Sequence, residues 1–309
     1  MSSAPPHIVE ALAALRRQAR GETHALGAHR FPDRSRVALM VEAVAAALYP
    51  VRLGGWRGAH DAEDRFVADR LGEALNLVEE QVGIELAYWQ AEAADAFEPD
   101  QPAEVAAWFA EELPAIRAML DSDLAAALIG DPAARSIDEI LISYPGAAAI
   151  LHHRIANALY RLGAPIVARI ASELANARTG IDIHPGATIG GSFFIDHGTG
   201  VVIGETAIVG ERVRLYQHVT LGARAPIGLS SDGPRERLAR HPIVEDDVTI
   251  YAGTTILGRV RIGAGSVIGG NVWLLDDVPS GSVVAQPVAT ILPLQKAADL
   301  DARLHGRDG

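Results

Sequence analysis

Four polar residues in an otherwise small and aliphatic stretch, Asp182, His184, Asp196 and His197, have the side chains that proton transfer needs. Imidazole titrates closest to neutral pH, so a histidine suits the removal of a proton from a hydroxyl whose own pKa lies far above 7. A carboxylate on the other ring nitrogen fixes the tautomer and stabilises the imidazolium. His197 as base with Asp182 as orienting partner meets this requirement if the two lie on neighbouring layers of the fold. A second cluster, Arg235, Arg237, Arg240 and His241, falls in the segment 223–247. A guanidinium can grip a carboxylate through two parallel hydrogen bonds. The chain has no cysteine, which excludes thiolate nucleophiles, thiolate metal sites and a disulfide framework. His184, His197 and His218 could be read as a zinc set, but their gaps of 13 and 21 residues lack a close histidine pair, and no metal site is expected.

The elements that must position these groups show in a repeat. Aliphatic or small residues recur at every sixth position: Ile183, Ile189, Ile195, Val201, Ala207, Val213 and Val219, then Val248, Thr254, Val260, Ser266, Val272, Val278 and Val284. A companion ladder, Ile250, Ile256, Ile262, Ile268 and Leu274, keeps the same step. A period of six fits neither one strand nor one helix, but it fits short strands joined by tight corners in a stacked solenoid. Residues 181–289 are therefore read as a parallel β-helix of hexapeptides. With three hexads to a coil, residue 200 would stack over residue 182 and bring His197 to a corner shared with Asp182. Two irregularities, 180–205 and the long loop 223–247, interrupt the repeat where function is expected. Pro226 to Arg237 is expected to move while Arg240 and His241 stay anchored.

Residues 1–180 read as an α-helical domain, with helical spacing over 36–49, 62–92, 102–120, 145–162 and 165–177. Such helices could cap the open end of the solenoid and serve oligomerisation. The first 182 residues hold 16 Arg against 26 acidic residues, while 183–289 hold 8 against 10, and no basic stripe suggests nucleic acid. No stretch is apolar and long enough for a membrane span or a secretory signal, so a cytoplasmic protein is expected. Residues 290–309 read as a tail.

The runs Asp182-Ile183-His184-Pro185, Asp196-His197-Gly198-Thr199-Gly200 and Val202-Ile203-Gly204-Glu205-Thr206 carry a resemblance. So do Val219-Thr220-Leu221-Gly222, Arg240-His241-Pro242, Ile256-Leu257-Gly258 and Ile268-Gly269-Gly270-Asn271, together with Asp131-Pro132-Ala133 and His153-Arg154-Ile155 upstream. In these motifs, over roughly residues 131–289, the chain resembles the serine O-acetyltransferases of the hexapeptide acyltransferase superfamily. The resemblance implies an α+β protein in which the helical domain precedes a left-handed parallel β-helix.

It also implies direct transfer of an acetyl group from acetyl-CoA, as co-substrate, to the hydroxyl of L-serine, the first step of cysteine biosynthesis from serine. His197 and Asp182 would be catalytic. Asp131 and Asp196 would bind the amino-acid substrate, with Arg240 and His241 on its carboxylate side. Gly222, Ala252, Gly253, Gly269 and Gly270 would line a pantetheine groove between adjacent subunits, and Arg259 and Arg261 could neutralise phosphates. The assembly implied is a homotrimer or a dimer of trimers. The chain closes on His305-Gly306-Arg307-Asp308-Gly309 rather than on isoleucine, which speaks against a complex with O-acetylserine sulfhydrylase. Homoserine or a sugar is the alternative acceptor. Without the resemblance, Asp131 before Pro132 would read as a helix N-cap.

Overall fold

The computed structural model describes residues 5–22, 30–93, 100–224 and 238–287. Seven α-helices are described first: α1 Pro6–Glu22, α2 Arg34–Leu48, α3 Glu63–Ala93, α4 Gln101–Gly130, α5 Ile137–Ser143, α6 Pro145–Arg161 and α7 Pro165–Thr179. Local chemistry sets their ends. Asp33 caps α2 by accepting from the backbone N–H groups of Ser35 and Arg36, and Ser136 caps α5 by accepting from Glu139. Prolines open α4, α6 and α7, where a missing N–H costs nothing, and Gly180 closes α7 in the left-handed conformation. The sequence reading did not anticipate α1 and α5, and it ended the fourth helix ten residues early.

The helices are followed by fourteen short parallel strands: β1 Asp182–Ile183, β2 Thr188–Ile189, β3 Phe194–Ile195, β4 Val202–Ile203, β5 Ile208–Val209, β6 Arg214–Leu215, β7 Thr220–Gly222, β8 Ile243–Val244, β9 Thr249–Ile250, β10 Thr255–Leu257, β11 Arg261–Ile262, β12 Val267–Ile268, β13 Trp273–Leu274 and β14 Val283–Val284. They form three sheets, β1-β4-β7-β10-β13, β2-β5-β8-β11 and β3-β6-β9-β12-β14, which are the three sides of a prism. Ile203, Leu221 and Ile256 stack on the inside of one side, each 0 or 1% exposed. Truncating one of them, Ile256 for example, to alanine would cost about 2–5 kcal/mol in lost burial and residual cavity.

The register corrects the coil arithmetic. Asp182 pairs with Val202, not with residue 200, because the first coil has twenty residues. Later coils have eighteen residues, as in Val202 with Thr220 and Thr255 with Trp273, except for thirty-five where the long loop enters, as in Thr220 with Thr255, and sixteen at the end, as in Val267 with Val283. The first hexad frame therefore joins two ladders: Ile183, Ile189 and Ile195 lie under Ile203, Val209 and Leu215. The repeat also resumes at Ile243 in β8, four residues before the end of the loop read from sequence, and Glu245 to Asp247 form the next corner.

The helices close the first coil as physical necessity requires. Its carbonyls would otherwise form an unpaired edge. Arg154 on α6 donates from Nη1 and Nη2 to the oxygens of Ile189 and Gly190, and Asn157 donates to those of Pro185 and Ala187. Arg154 also makes a two-bond ion pair with Asp123 on α4, both side chains under 5% exposed, and Asp123 accepts from the N–H of Phe193.

Candidate active site

The two extra residues of the first coil lie in the turn between β3 and β4, and His197 sits in that turn. The recurring corner position is Gly200, His218, Gly253 and Asn271, one per coil, each at positive φ. His197 and Gly198, at φ 60° and 88°, are two further left-handed residues. A left-handed histidine is uncommon, and it turns the ring outward, so that 73% of the side chain is exposed. The turn is tied down by Gly200 N–H to Gly180 O at 2.7 Å and by His218 N–H to Thr199 O at 2.9 Å.

Three acidic or basic groups gather beside it. Asp196 accepts from Arg214 at 2.6 Å through Oδ2, while its Oδ1 is 3.9 Å from His197 Nε2. Asp131 follows the end of α4 as its C-cap, not the start of a helix, and accepts from Tyr144 Oη at 2.6 Å and from the N–H of Ala133. The Tyr144 bond and then the Ala133 bond hold its carboxyl below the usual range, with smaller help from the charges of Arg214 and His197. Asp131, Asp196 and His197 are thus brought together. Asp182 lies at the foot of the same turn, where its N–H bonds to Val201 O, but its ion pair is with Arg169 of α7 at 3.9 Å. Burial raises the Asp182 carboxyl. Within this chain His197 and Asp182 do not form an ion pair.

Arg240 and His241 stand elsewhere, at the corner between β4 and β5. That corner lies across a whole side of the prism from His197, and six extended residues span about 20 Å. Thr206 organises it: its hydroxyl accepts from the N–H groups of Arg240 and His241, and its N–H donates to His241 Nδ1. With Nδ1 accepting, neutral His241 carries its proton on Nε2. Gly204 makes room for the ring, because a Cβ there would come 2.0 Å from His241 Cδ2. Glu205 lies 3.7 Å from Arg240 and accepts from Tyr160 Oη at 3.0 Å. His184 packs edge-on against Tyr160, and burial lowers its pKa to about 4. Arg224, Arg240 and Arg259 share a cavity of about 310 Å3, and Arg240 Nε is buried without a hydrogen-bond partner. Arg259 donates to the oxygens of Thr206 and His241, and Arg261 pairs with Glu245 at 2.7 Å, so both have structural partners.

The small residues divide likewise. Ala252, Gly253, Gly269 and Gly270 stack at the corner above His197, linked by Gly253 N–H to Gln217 O and Asn271 N–H to Ala252 O. Gly222 lies at the far end of β7, where its oxygen accepts from Gly258. Sequence reasoning missed Tyr144, Thr206, Glu205 and Arg214. Of these, Glu205 and Thr206 stood inside a quoted motif, whereas Tyr144 and Arg214 carried no spacing signal. Arg235, Arg237 and the stretch from Pro226 lie outside the described residues, as does the tail 290–309.

Stacked hexapeptide coils with an exposed histidine among carboxylates define a transferase of the hexapeptide β-helix class, and residues 241–276 match the family described as bacterial transferase hexapeptide (six repeats). The chain is 48% identical over 262 residues to a plasmid serine acetyltransferase of Synechococcus elongatus, covering 82% of each, and 46% identical over 166 residues to the serine acetyltransferase of Bacillus subtilis, covering 54% of this chain and 72% of that one. It also superimposes on the structure of Entamoeba histolytica serine acetyltransferase isoform 3 in complex with cysteine, with a TM-score of 0.68, 31% identity and coverage of 85% of this chain and 87% of that one. The chain belongs to the serine acetyltransferase family and is an acyltransferase. Its fold is accordingly a helical region followed by a left-handed parallel β-helix, the handedness implied at the sequence level. No described helix is long and apolar enough to cross a membrane.

Proposed function

We propose that the chain transfers the acetyl group of acetyl-CoA to the hydroxyl of L-serine, in a site built from two corners contributed by two copies of the chain. The observation that carries this reading is the gathering of Asp131, Asp196 and His197 at one corner while Arg240 and His241 occupy the next one round. A zwitterionic acceptor needs carboxylates for its ammonium and a guanidinium for its carboxylate. One chain presents these on opposite ends of a side, and a homotrimer, alone or paired into a dimer of trimers, would set the corner of one copy against that of its neighbour.

His197 takes the hydroxyl proton as the serine oxygen attacks the thioester carbonyl. Collapse of the tetrahedral intermediate breaks the carbon–sulfur bond, and the departing CoA sulfur recovers the proton from the imidazolium. Asp182 orients the ring once it gives up its loose contact with Arg169, which two partly exposed side chains can do by rotation. Asp131 and Asp196 receive the ammonium, and Arg240 with the Nε2–H of His241 receives the carboxylate. Ala252, Gly253, Gly269 and Gly270 leave an edge of small residues above His197 for the pantetheine arm, with Gly222 on the neighbouring copy's side.

Steady-state kinetics with acetyl-CoA and a panel of serine, homoserine, threonine and a galactoside tests the acceptor. Serine should have the highest kcat/KM. Preference for homoserine or the galactoside would move the chain to another acceptor within the same chemistry, since one methylene changes binding by only about 1–3 kcal/mol.

A further inference from the structure

Asp131 and Asp196 bring two negative charges to the His197 corner, and Arg214 brings one positive charge between them. Arg214 Nη2 donates to Asp196 Oδ2 at 2.6 Å, its charge helps to hold down the Asp131 carboxyl, and a Cβ on Gly130, next to Asp131, would lie 3.7 Å from its Nη1. The guanidinium is clamped. Its central carbon is 5.0 Å from the Phe194 ring and 4.6 Å from the Tyr216 ring, and Tyr216 stacks on Tyr251 with centroids 5.0 Å apart and planes at 12°. Phe194 belongs to the first coil, Arg214 and Tyr216 to the second and Tyr251 to the third, so the stack climbs the corner at one strand spacing per step.

We propose that Arg214 is a positioning residue that sets both the charge and the geometry of the amino-group pocket. It occupies Asp196 Oδ2 and leaves Oδ1 toward His197, and it reduces two negative charges to one, the complement of a single ammonium. The inference rests on the reading that Asp131 and Asp196 hold the substrate ammonium. Without the guanidinium, Asp196 would lose its anchor, and the Asp131 carboxyl would lose a positive charge that helps to hold it down. Acceptor binding would then weaken and would fail at higher pH than in the parent enzyme. A planar guanidinium can lie between two rings and meet a carboxylate at its edge, whereas an ammonium supplies the charge alone.

The test uses the assembled full chain with Arg214→Leu, Arg214→Lys and Asp196→Asn, measuring serine and acetyl-CoA KM across pH together with the thermal midpoint. Arg214→Leu should raise serine KM about tenfold, the size expected for losing a charged hydrogen bond, while acetyl-CoA KM stays within about twofold. The acid limb of kcat/KM for serine should move to higher pH in Arg214→Leu and return in Arg214→Lys, which recovers only part of the KM. Leu and Lys variants that lower the thermal midpoint equally, change both KM values together and leave the pH limb in place would overturn the proposal. If Asp196→Asn raises serine KM and Arg214→Leu does not, the Arg214 assignment alone is lost. An unchanged serine KM in Asp196→Asn rejects the amino-group reading beneath it. Should Arg214→Leu fail to fold, Tyr216→Leu keeps the ion pair and removes one ring; it should raise serine KM by a smaller factor, and an unchanged value overturns the clamp.

Discussion

Tyr144 donates its hydroxyl to Asp131 at 2.6 Å, so a residue at the junction of α5 and α6 holds the carboxylate that closes α4 over the His197 corner. The bond is the main reason the Asp131 carboxyl stays below the usual range. Tyr144→Phe removes that donor, so the carboxyl should rise back toward its ordinary value. Serine KM should increase by about three- to tenfold, with acetyl-CoA KM unaffected. The increase should be steepest at low pH, where the freed carboxyl begins to protonate, and a pH series of serine KM reads it directly.

His197→Ala should lower kcat by about two to four orders of magnitude with a modest change in KM, the range for losing a positioned general base. Asp182→Asn should lower kcat less, because it disturbs the orientation of the ring rather than deleting it. The ratio of the two effects distinguishes a partner from a bystander: an Asp182→Asn variant with parental kcat would leave His197 without that orienting acid.

Arg240→Ala should raise serine KM well beyond that of acetyl-CoA, and Arg240→Lys should restore little, since a lysine cannot form the paired contact. Serinamide provides the control on the ligand side. If it binds the parent enzyme as well as serine does, the carboxylate clamp is wrong.

Much of this architecture was legible in the hexads, because inward residues of a solenoid must repeat with its geometry. Ile250, Ile256, Ile262 and Ile268 all face inward, one on each side of the prism in turn, and Ile268 comes round to pair with Ile250. The two extra residues at His197 were hidden, since Val201 continues the six-step by accident while belonging to the neighbouring ladder. Asp131, Asp196 and His197 stand around one corner. Asp182 and His197 could not be judged from spacing, because contact depends on rotamers and on Arg169, which α7 lays beside Asp182. Arg214 was illegible for a related reason: its meaning lies in Phe194 and Asp196, and neighbours one coil apart leave no local signature.

Two buried histidines give the fold an acid limb. Burial pushes His153 to about 3 and His184 to about 4, both below the ordinary 6.5. The unfolded chain therefore binds more protons than the folded one below pH 6.5, so stability should fall as pH drops from 6.5 toward 4 and level off below the folded values. Asp123 runs the other way, because burial raises it to about 6 despite Arg154. Denaturant unfolding of the parent and of His153→Leu across pH 4–7 isolates the histidine. The variant should show a flatter dependence, and parallel curves would remove His153 from the account.

The claim that one acetyltransfer site draws its base and its carboxylate clamp from two different copies is tested most directly by mixing. His197→Ala and Arg240→Ala chains, each nearly inactive alone at subsaturating serine, should be unfolded together and refolded at equal concentrations. Random assembly of a cyclic homo-oligomer pairs an intact base corner with an intact clamp corner at about a quarter of its interfaces. The account predicts recovery of roughly that share of parental activity, with a serine KM close to the parental value. Mixed assemblies no more active than the average of the two variants would place both corners of a working site in one chain and contradict it.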